Sequence, residues 1–223
     1  MRAVVHPNEL ANAMFNAHEV GKAGEVSVNV SSDGVVRCYG RSQTAMLTAY
    51  VAETDDEAPW LSADFDPATE VAIEPEEMSA LQSALRKKSR AAGATVSIEV
   101  DGERLTVVDG MIEDASLPTL GVDVSHATAI NEESEWALRP PWGEREGGAL
   151  FLSPDSITPI TRIKPAPPVV AMRQPRIGRT IAYTAGKGVY GLLEALDPNR
   201  ITDERAQAST PWLKPPAELG GEE

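Results

Sequence analysis

The densest chemistry in the chain is the run ALRKKSR at 84–90, where Arg86, Lys87, Lys88 and Arg90 put four cations into five positions. Lys and Arg favour the last turn of a helix through its dipole, but this grouping exceeds what capping needs. Such a group neutralises anions; it makes and breaks no bonds. A looser set, Arg162, Lys164, Arg173, Arg176 and Arg179, falls within 151–198, a stretch with six basic and three acidic side chains. That stretch is net basic in a 223-residue chain whose formal charge is −14. The acidic total argues against indiscriminate binding to nucleic acid and leaves local contacts open.

Bond-making chemistry is harder to find. The three histidines, His6, His18 and His126, show no His-x-His or His-Glu-x-x-His spacing. A divalent metal would need about two to four His or Glu ligands on facing strands. His6 and Glu74 hold equivalent places in two repeats and are the pair that could begin such a site. There is no Gly-x-Ser-x-Gly, no P-loop and no Gly-x-Gly-x-x-Gly. Ser153 and Asp155 flank Pro154 and suit helix capping better than catalysis. The single cysteine, Cys38, excludes an internal disulfide and a multi-cysteine zinc site. It lies in an alternating apolar run and reads as a core thiol. The sequence thus predicts no catalytic residue, metal or cofactor. It has no apolar run of about 18 residues, hence no expected membrane span. Its N-terminus lacks a secretory pattern, and the cytoplasm is the expected compartment.

The elements that must position these residues repeat. VVHPNEL at 4–10 returns as AIEPEEM at 72–78 and FLSPDSI at 151–157. In each copy a strand meets a Pro, which suits the first position of a helix because its missing N–H is an orphan there. In the first copy Leu10, Ala13, Met14 and Ala17 share one helical face, and Gly21 and Gly24 stop the helix. VSVNV then alternates, with Val26, Val28 and Val30 predicted inward and Ser27 and Asn29 outward, as in a half-buried antiparallel strand. Asp33-Gly34 turns the chain, VVRCY returns, and a further strand runs to about Glu53. The unit is βαβββ. The second copy follows the same order, with Met78, Leu81, Ala84 and Leu85 on the helix face, TVSIEV, a turn at Asp101-Gly102, and RLTVV. The third has ALFLS, a short helix through Ile157, Ile160 and Ile163 limited by Pro159, then PVVAMRQ, RTIAYTA and GVYGLLEAL as strands. Residues 111–148 are acidic and strand-poor, and no fourth copy is evident.

Strand, helix, hairpin and strand, repeated in pairs, resemble the DNA sliding clamps of replication, closest to the bacterial β-clamp type. VSVNVSSDGVVRCYGRSQTAMLTAYV is similar to the phrase that ends one clamp repeat, and SIEVDGERLTVVDG to the hairpin of the next. GKGVYGLLEAL resembles the last strand of a clamp, and LFLSPDSITPITRIKP the strand and helix before it. The resemblance covers 1–110 and 149–197 and rests on patterns of apolar positions and turns. It implies an α+β fold of repeated βαβββ units, with antiparallel sheets outside and helices on the inner face. It divides the chain into a first clamp-like domain at 1–122, a partly irregular second at 123–198 and a flexible tail at 199–223. A two-domain subunit implies a trimeric ring in this family. Two departures stand out: three repeats where four are expected, and about 25 extra residues after the last strand.

By the same resemblance the protein encircles duplex DNA without reading sequence and tethers a DNA polymerase, with a clamp loader as a further partner. It acts as a processivity factor, not an enzyme. Sliding requires weak attraction to phosphates and no base readout. The cations placed for it are Arg86, Lys87, Lys88 and Arg90, with Arg162, Lys164, Arg173 and Arg176 from the third repeat. The first helix offers Asn12, Asn16 and His18 instead. A pocket for partner peptides maps onto Tyr190, Leu192, Leu193, Ala195 and Leu196. Two other readings remain: a clamp-like decoy or regulator that closes no ring, and a metalloenzyme of the vicinal-oxygen-chelate type, whose fold also pairs βαβββ modules.

Overall fold

Pro7, Pro75 and Pro154 each stand at the first position of a helix, so the repeated phrase marks the same local event three times. The computed structural model describes residues 1–21, 24, 26–42, 45–53, 63–66, 70–90, 93–101, 104–109, 120–121, 152–173, 180–186 and 188–195. In chain order the first repeat is β1 (Arg2–Val5), α1 (Pro7–Gly21), β2 (Val26–Val30), β3 (Val36–Arg41) and β4 (Ala45–Val51). The second is β5 (Val71–Ile73), α2 (Pro75–Lys88), β6 (Val96–Asp101), β7 (Arg104–Asp109) and β8 (Leu120–Gly121). The third supplies α3 (Pro154–Thr161), β9 (Val170–Arg173), β10 (Thr180–Ala185) and β11 (Val189–Glu194). Its expected first strand, at 149–153, is described only at Leu152 and Ser153, which lie in neither strand nor helix.

The strands form two antiparallel sheets, ordered β1-β6-β7-β8 and β5-β2-β3-β4-β11-β10-β9. The first strands of the two leading repeats are exchanged. β1 pairs with β6 of the second repeat, and β5 pairs with β2 of the first. The third repeat joins the first through β4 and β11, in register from Ala45 opposite Leu193 to Ala49 opposite Val189. One sheet thus runs through all three repeats.

Helix α1 lies on β3 and β4, with α2 and α3 beside it. Its buried stripe is Leu10, Ala11, Ala13, Met14, Ala17 and Val20. On the facing sheet Val28, Cys38, Leu47, Ile181 and Leu193 complete a core shared with Ile98 and Val107 of the other sheet. Two glycines set how closely these layers approach. A Cβ on Gly40 would sit 1.8 Å from the carbonyl oxygen of Ala17. One on Gly191 would meet the Tyr183 ring at 2.3 Å. Tyr183 passes over Gly191 and donates its hydroxyl to the Met46 carbonyl at 3.2 Å.

Three sequence expectations change. Ser27 and Asn29 do not face water: both are buried, where Glu70 takes the Ser27 hydroxyl and the Asp66 carbonyl takes the Asn29 amide. The strand expected to reach Glu53 ends at Val51. The helix expected to run through Ile163 stops at Thr161; Ile157 is half-buried, and Ile163 enters the core from the loop beyond. Cys38 is fully buried, which pushes its thiol up to about 12 and keeps it unreactive.

Candidate nucleic-acid interface

The distribution of charge along α2 follows from the helix dipole. Glu76 and Glu77 occupy the first turn and Arg86, Lys87 and Lys88 the last. Met78, Leu81 and Leu85 are buried, which leaves Arg86 and Lys87 exposed and Lys88 half-buried. Ser89 ends the helix, its hydroxyl donating to the Arg86 carbonyl at 2.8 Å, and Arg90 follows it, exposed.

Cations from the second and third repeats both approach one ring of the first, that of Phe15. Lys164 Nζ lies 4.1 Å from the centre of the Phe15 ring, and the Arg86 guanidinium carbon lies 5.8 Å from it. Each contact is worth about 0.5–1 kcal/mol at an exposed site. Phe15 sits on α1 beside the buried stripe and is half-buried. The sequence reading did not single it out; the signal was a large aromatic just off the apolar face, one of three phenylalanines in the chain.

Lys164 is held from behind. The Asn16 carboxamide, 2% exposed, donates to the Lys164 carbonyl and accepts from its N–H, each at 2.8 Å. Asn16 is therefore a structural bracket and is not placed to meet a phosphate. Arg162 pairs with Glu19 of α1 at 3.1 Å, an exposed bridge worth about 0–1 kcal/mol. Arg173 lies in β9, and Arg176 falls outside the described residues. Between the N-terminal half of α1, the end of β4 and the 163–168 loop lies a cleft of about 430 Å³. Its polar lining is Asn8, Glu9, Asn12, Asn16 and Lys164. That set offers amides, one carboxylate and one ammonium group, and no nucleophile beside a base.

The residues placed in a partner pocket divide by strand alternation. Leu193 and Ala195 point to the helix side and are buried in the core. Leu192 points the other way and packs with Tyr39, Met46 and Ala182. Tyr190, on that same side, is half-buried and meets Tyr50 edge to face at 6.0 Å. Leu196 lies outside the described residues. The same side of the sheet buries a polar cluster. Ser27 donates its hydroxyl to Glu70, the Arg37 guanidinium lies 3.8 Å from the other Glu70 oxygen, and it stacks 4.4 Å from the centre of Phe65. Burial raises the Glu70 carboxyl above its ordinary range, against the opposing pull of Ser27 and Arg37. Burial likewise pushes the Tyr50 hydroxyl up to about 12.

His6 closes the start of α1, its Nδ1 accepting from the Asn8 N–H at 3.2 Å. Among the described residues no three His, Cys, Asp or Glu side chains gather closely enough to hold a metal ion. Nor, among them, is any helix long and apolar enough to cross a membrane.

No family model and no curated protein matches this sequence. Solved structures do match. The DNA polymerase III β subunit of Thermotoga maritima is 11% identical, with a TM-score of 0.58 over 91% of this chain and 68% of that one. A putative DNA polymerase III β subunit from Eubacterium rectale is 7% identical, with a TM-score of 0.60 over 94% and 68%. The DNA polymerase sliding clamp of Bacillus subtilis is 12% identical, with a TM-score of 0.54 over 88% and 65%. The chain therefore has the sliding-clamp fold, as its repeats indicated, and spans about two thirds of each of those subunits.

Proposed function

We propose that this chain is a clamp-like processivity factor that holds duplex DNA against its helices and tethers a replicative polymerase. The observation that carries the reading is that Arg86 and Lys164, from different repeats, both approach the Phe15 ring on the middle helix. Fold likeness alone would fit a scaffold of any kind. Cations gathered on the helix side give that scaffold a reason to meet phosphates. Arg86, Lys87, Lys88 and Arg90 form the main contact, with Lys164 beside them and Arg162, Arg173 and Arg176 as further candidates. The contact is electrostatic and blind to sequence. In this reading the protein is not an enzyme, forms a homotrimeric ring, is placed on DNA by a loader and works in the cytoplasm. Polymerase peptides dock on the opposite side of the sheet, at Tyr190 and Leu192.

The test is retention on DNA. A clamp loaded on nicked circular DNA stays bound when salt is raised and is released when the circle is cut. Release at the same salt from circular and linear DNA would show simple surface binding and sink the encircling proposal.

A second reading has its own support. Among the described residues three repeats are present, where two paired domains need four, and that favours a clamp-like regulator that binds replication proteins without closing a ring. Polymerase binding by a monomer that circular DNA fails to retain would select it.

A further inference from the structure

Asn8, Asn12 and Asn16 follow one another at four-residue spacing along α1. Residues so spaced lie on one side of a helix, with a drift of about 40° per step. All three line the cleft of about 430 Å³ beside the 163–168 loop, a volume within the usual range of ligand sites.

Asn16 shows what a carboxamide does in this place. It donates to the Lys164 carbonyl and accepts from the Lys164 N–H, each at 2.8 Å. One side chain thus grips both polar groups of one backbone residue, in a loop that belongs to no helix or strand. The next two rungs are open. Among the described residues the Asn12 and Asn8 carboxamides have no hydrogen-bond partner, and the exposed Glu9 carboxylate has no cation. The loop that follows Lys164 does not fill them. Pro165, Pro167 and Pro168 line the cleft and have no N–H to give. They supply an apolar wall instead, with Val51 and Val189 on the strand side.

The spacing fits a second backbone. Four residues of helix rise about 6 Å. Two residues of extended chain cover about 6.4–6.8 Å. In an extended chain the N–H and C=O of one residue point the same way, and every second residue repeats that direction. A peptide laid along α1 therefore presents a fresh pair of backbone groups at each asparagine. Nucleic acid fits less well. Glu9 would meet phosphates with like charge, and a carboxamide neutralises none of theirs.

We infer that this cleft holds an extended peptide from a partner protein, its backbone gripped by Asn12 and Asn8 and a Lys or Arg side chain set against Glu9. The site lies on the helix side of the sheet, away from Tyr190 and Leu192, and does not depend on the clamp reading. Peptide binding that needs Asn12 holds whether or not circular DNA retains the chain.

The test selects displayed random heptapeptides against the full chain and then measures the affinity of the enriched sequences as synthetic peptides. The expected sequences carry a Lys or Arg among small apolar residues. Asn12→Ala, checked for an unchanged melting curve, weakens them about tenfold, the equivalent of two ordinary hydrogen bonds. Glu9→Gln removes the advantage of the basic residue over Ala at its position. N-methylation of single peptide amides, tried in turn on the wild-type protein, is harmful at alternate positions; this arm needs no variant to fold. A selection that enriches nothing would overturn the inference. So would affinities untouched by Asn12→Ala, or methyl groups tolerated at every amide. Binding lost in Leu192→Ala and kept in Asn12→Ala would put the peptide on the other side of the sheet and overturn it too. If no peptide is enriched and a labelled duplex loses affinity in Asn12→Ala, the cleft takes nucleic acid and the inference falls.

Discussion

Asn16 grips the backbone of Lys164 at both of its polar groups, across 148 residues of sequence, with two hydrogen bonds of 2.8 Å. A carboxamide donates from its nitrogen and accepts at its oxygen, so one side chain serves both backbone groups. It fixes where the third repeat meets α1 and so where the Lys164 ammonium group stands relative to Phe15. Replacing Asn16 by Leu keeps the bulk and leaves two backbone groups unpaired in a buried place. The expected loss is about 2–6 kcal/mol, each orphaned group costing about 1–3 kcal/mol. Urea denaturation reads it; a loss within error would mean that water restores both bonds.

Salt dependence separates the cations that meet phosphate from those that only cap a helix. If Arg86 and Lys164 each contact one phosphate, the Arg86→Ala/Lys164→Ala variant should flatten the plot of log K against log salt by about 1.8, at about 0.9 per contact. An Arg162→Ala variant should flatten it less, because Arg162 is paired with Glu19. Titration of labelled duplex at several salt concentrations measures both. An unchanged slope in the double variant removes Arg86 and Lys164 from the interface.

Gly40 and Gly191 are sites where any side chain collides with backbone. Gly40→Val would drive a side chain into the Ala17 carbonyl, and Gly191→Val would meet Met46 and Tyr183. Overpacking of this kind costs about 1–3 kcal/mol, and more when backbone must move. Thermal unfolding should show both variants well below wild type. Gly34→Ala, at a hairpin tip with open space and φ of 78°, should lose less.

The buried carboxyl of Glu70 gives stability a sign with pH. Its folded value is raised, chiefly by burial, so the folded protein keeps that proton to higher pH than the unfolded chain does. The contribution of Glu70 is therefore full below the ordinary carboxylate range and is lost as pH rises through the raised value. A Glu70→Gln variant removes this dependence and keeps a partner for Ser27. Its stability relative to wild type should improve as pH rises from about 4.5, the ordinary value. Denaturation curves at a series of pH values test this. The opposite trend would show that the Arg37 ion pair outweighs burial.

Much of this architecture was legible because it is local. Proline at the first turn, Leu10 and Met14 one turn apart, and Asp33-Gly34 at a hairpin tip each speak for themselves within a few residues. The α2 cations were legible for the same reason, since the placement of Leu81 and Leu85 fixes the opposite face. What escaped is long-range. Nothing in RAVV says that it pairs with β6 in place of its own repeat. Ser27 and Asn29 read as solvent-facing because the residues that cover them lie about 40 positions on. Asn16 read as a polar contact because its partner, the Lys164 backbone, has no sequence signature. In the last strand, alternation alone separates Leu192 from Leu193, and sequence could not say which side held the core.

The pairing of β4 with β11 also has a consequence in time. Leu47 is opposite Gly191, 144 positions later in the chain. At about 5–20 residues per second, roughly 7–29 s of synthesis separate the two. Throughout that interval the growing chain carries β4 as an open edge lined by Ala45, Leu47 and Ala49, residues that end up in the core. The strand that should cover it has not yet been made. Neighbouring nascent chains on one message offer the same β11 to it. Slow translation therefore lengthens the exposure, and crowding of ribosomes multiplies the wrong partners, so the yield of folded protein should depend on translation speed and message loading more than its equilibrium stability suggests.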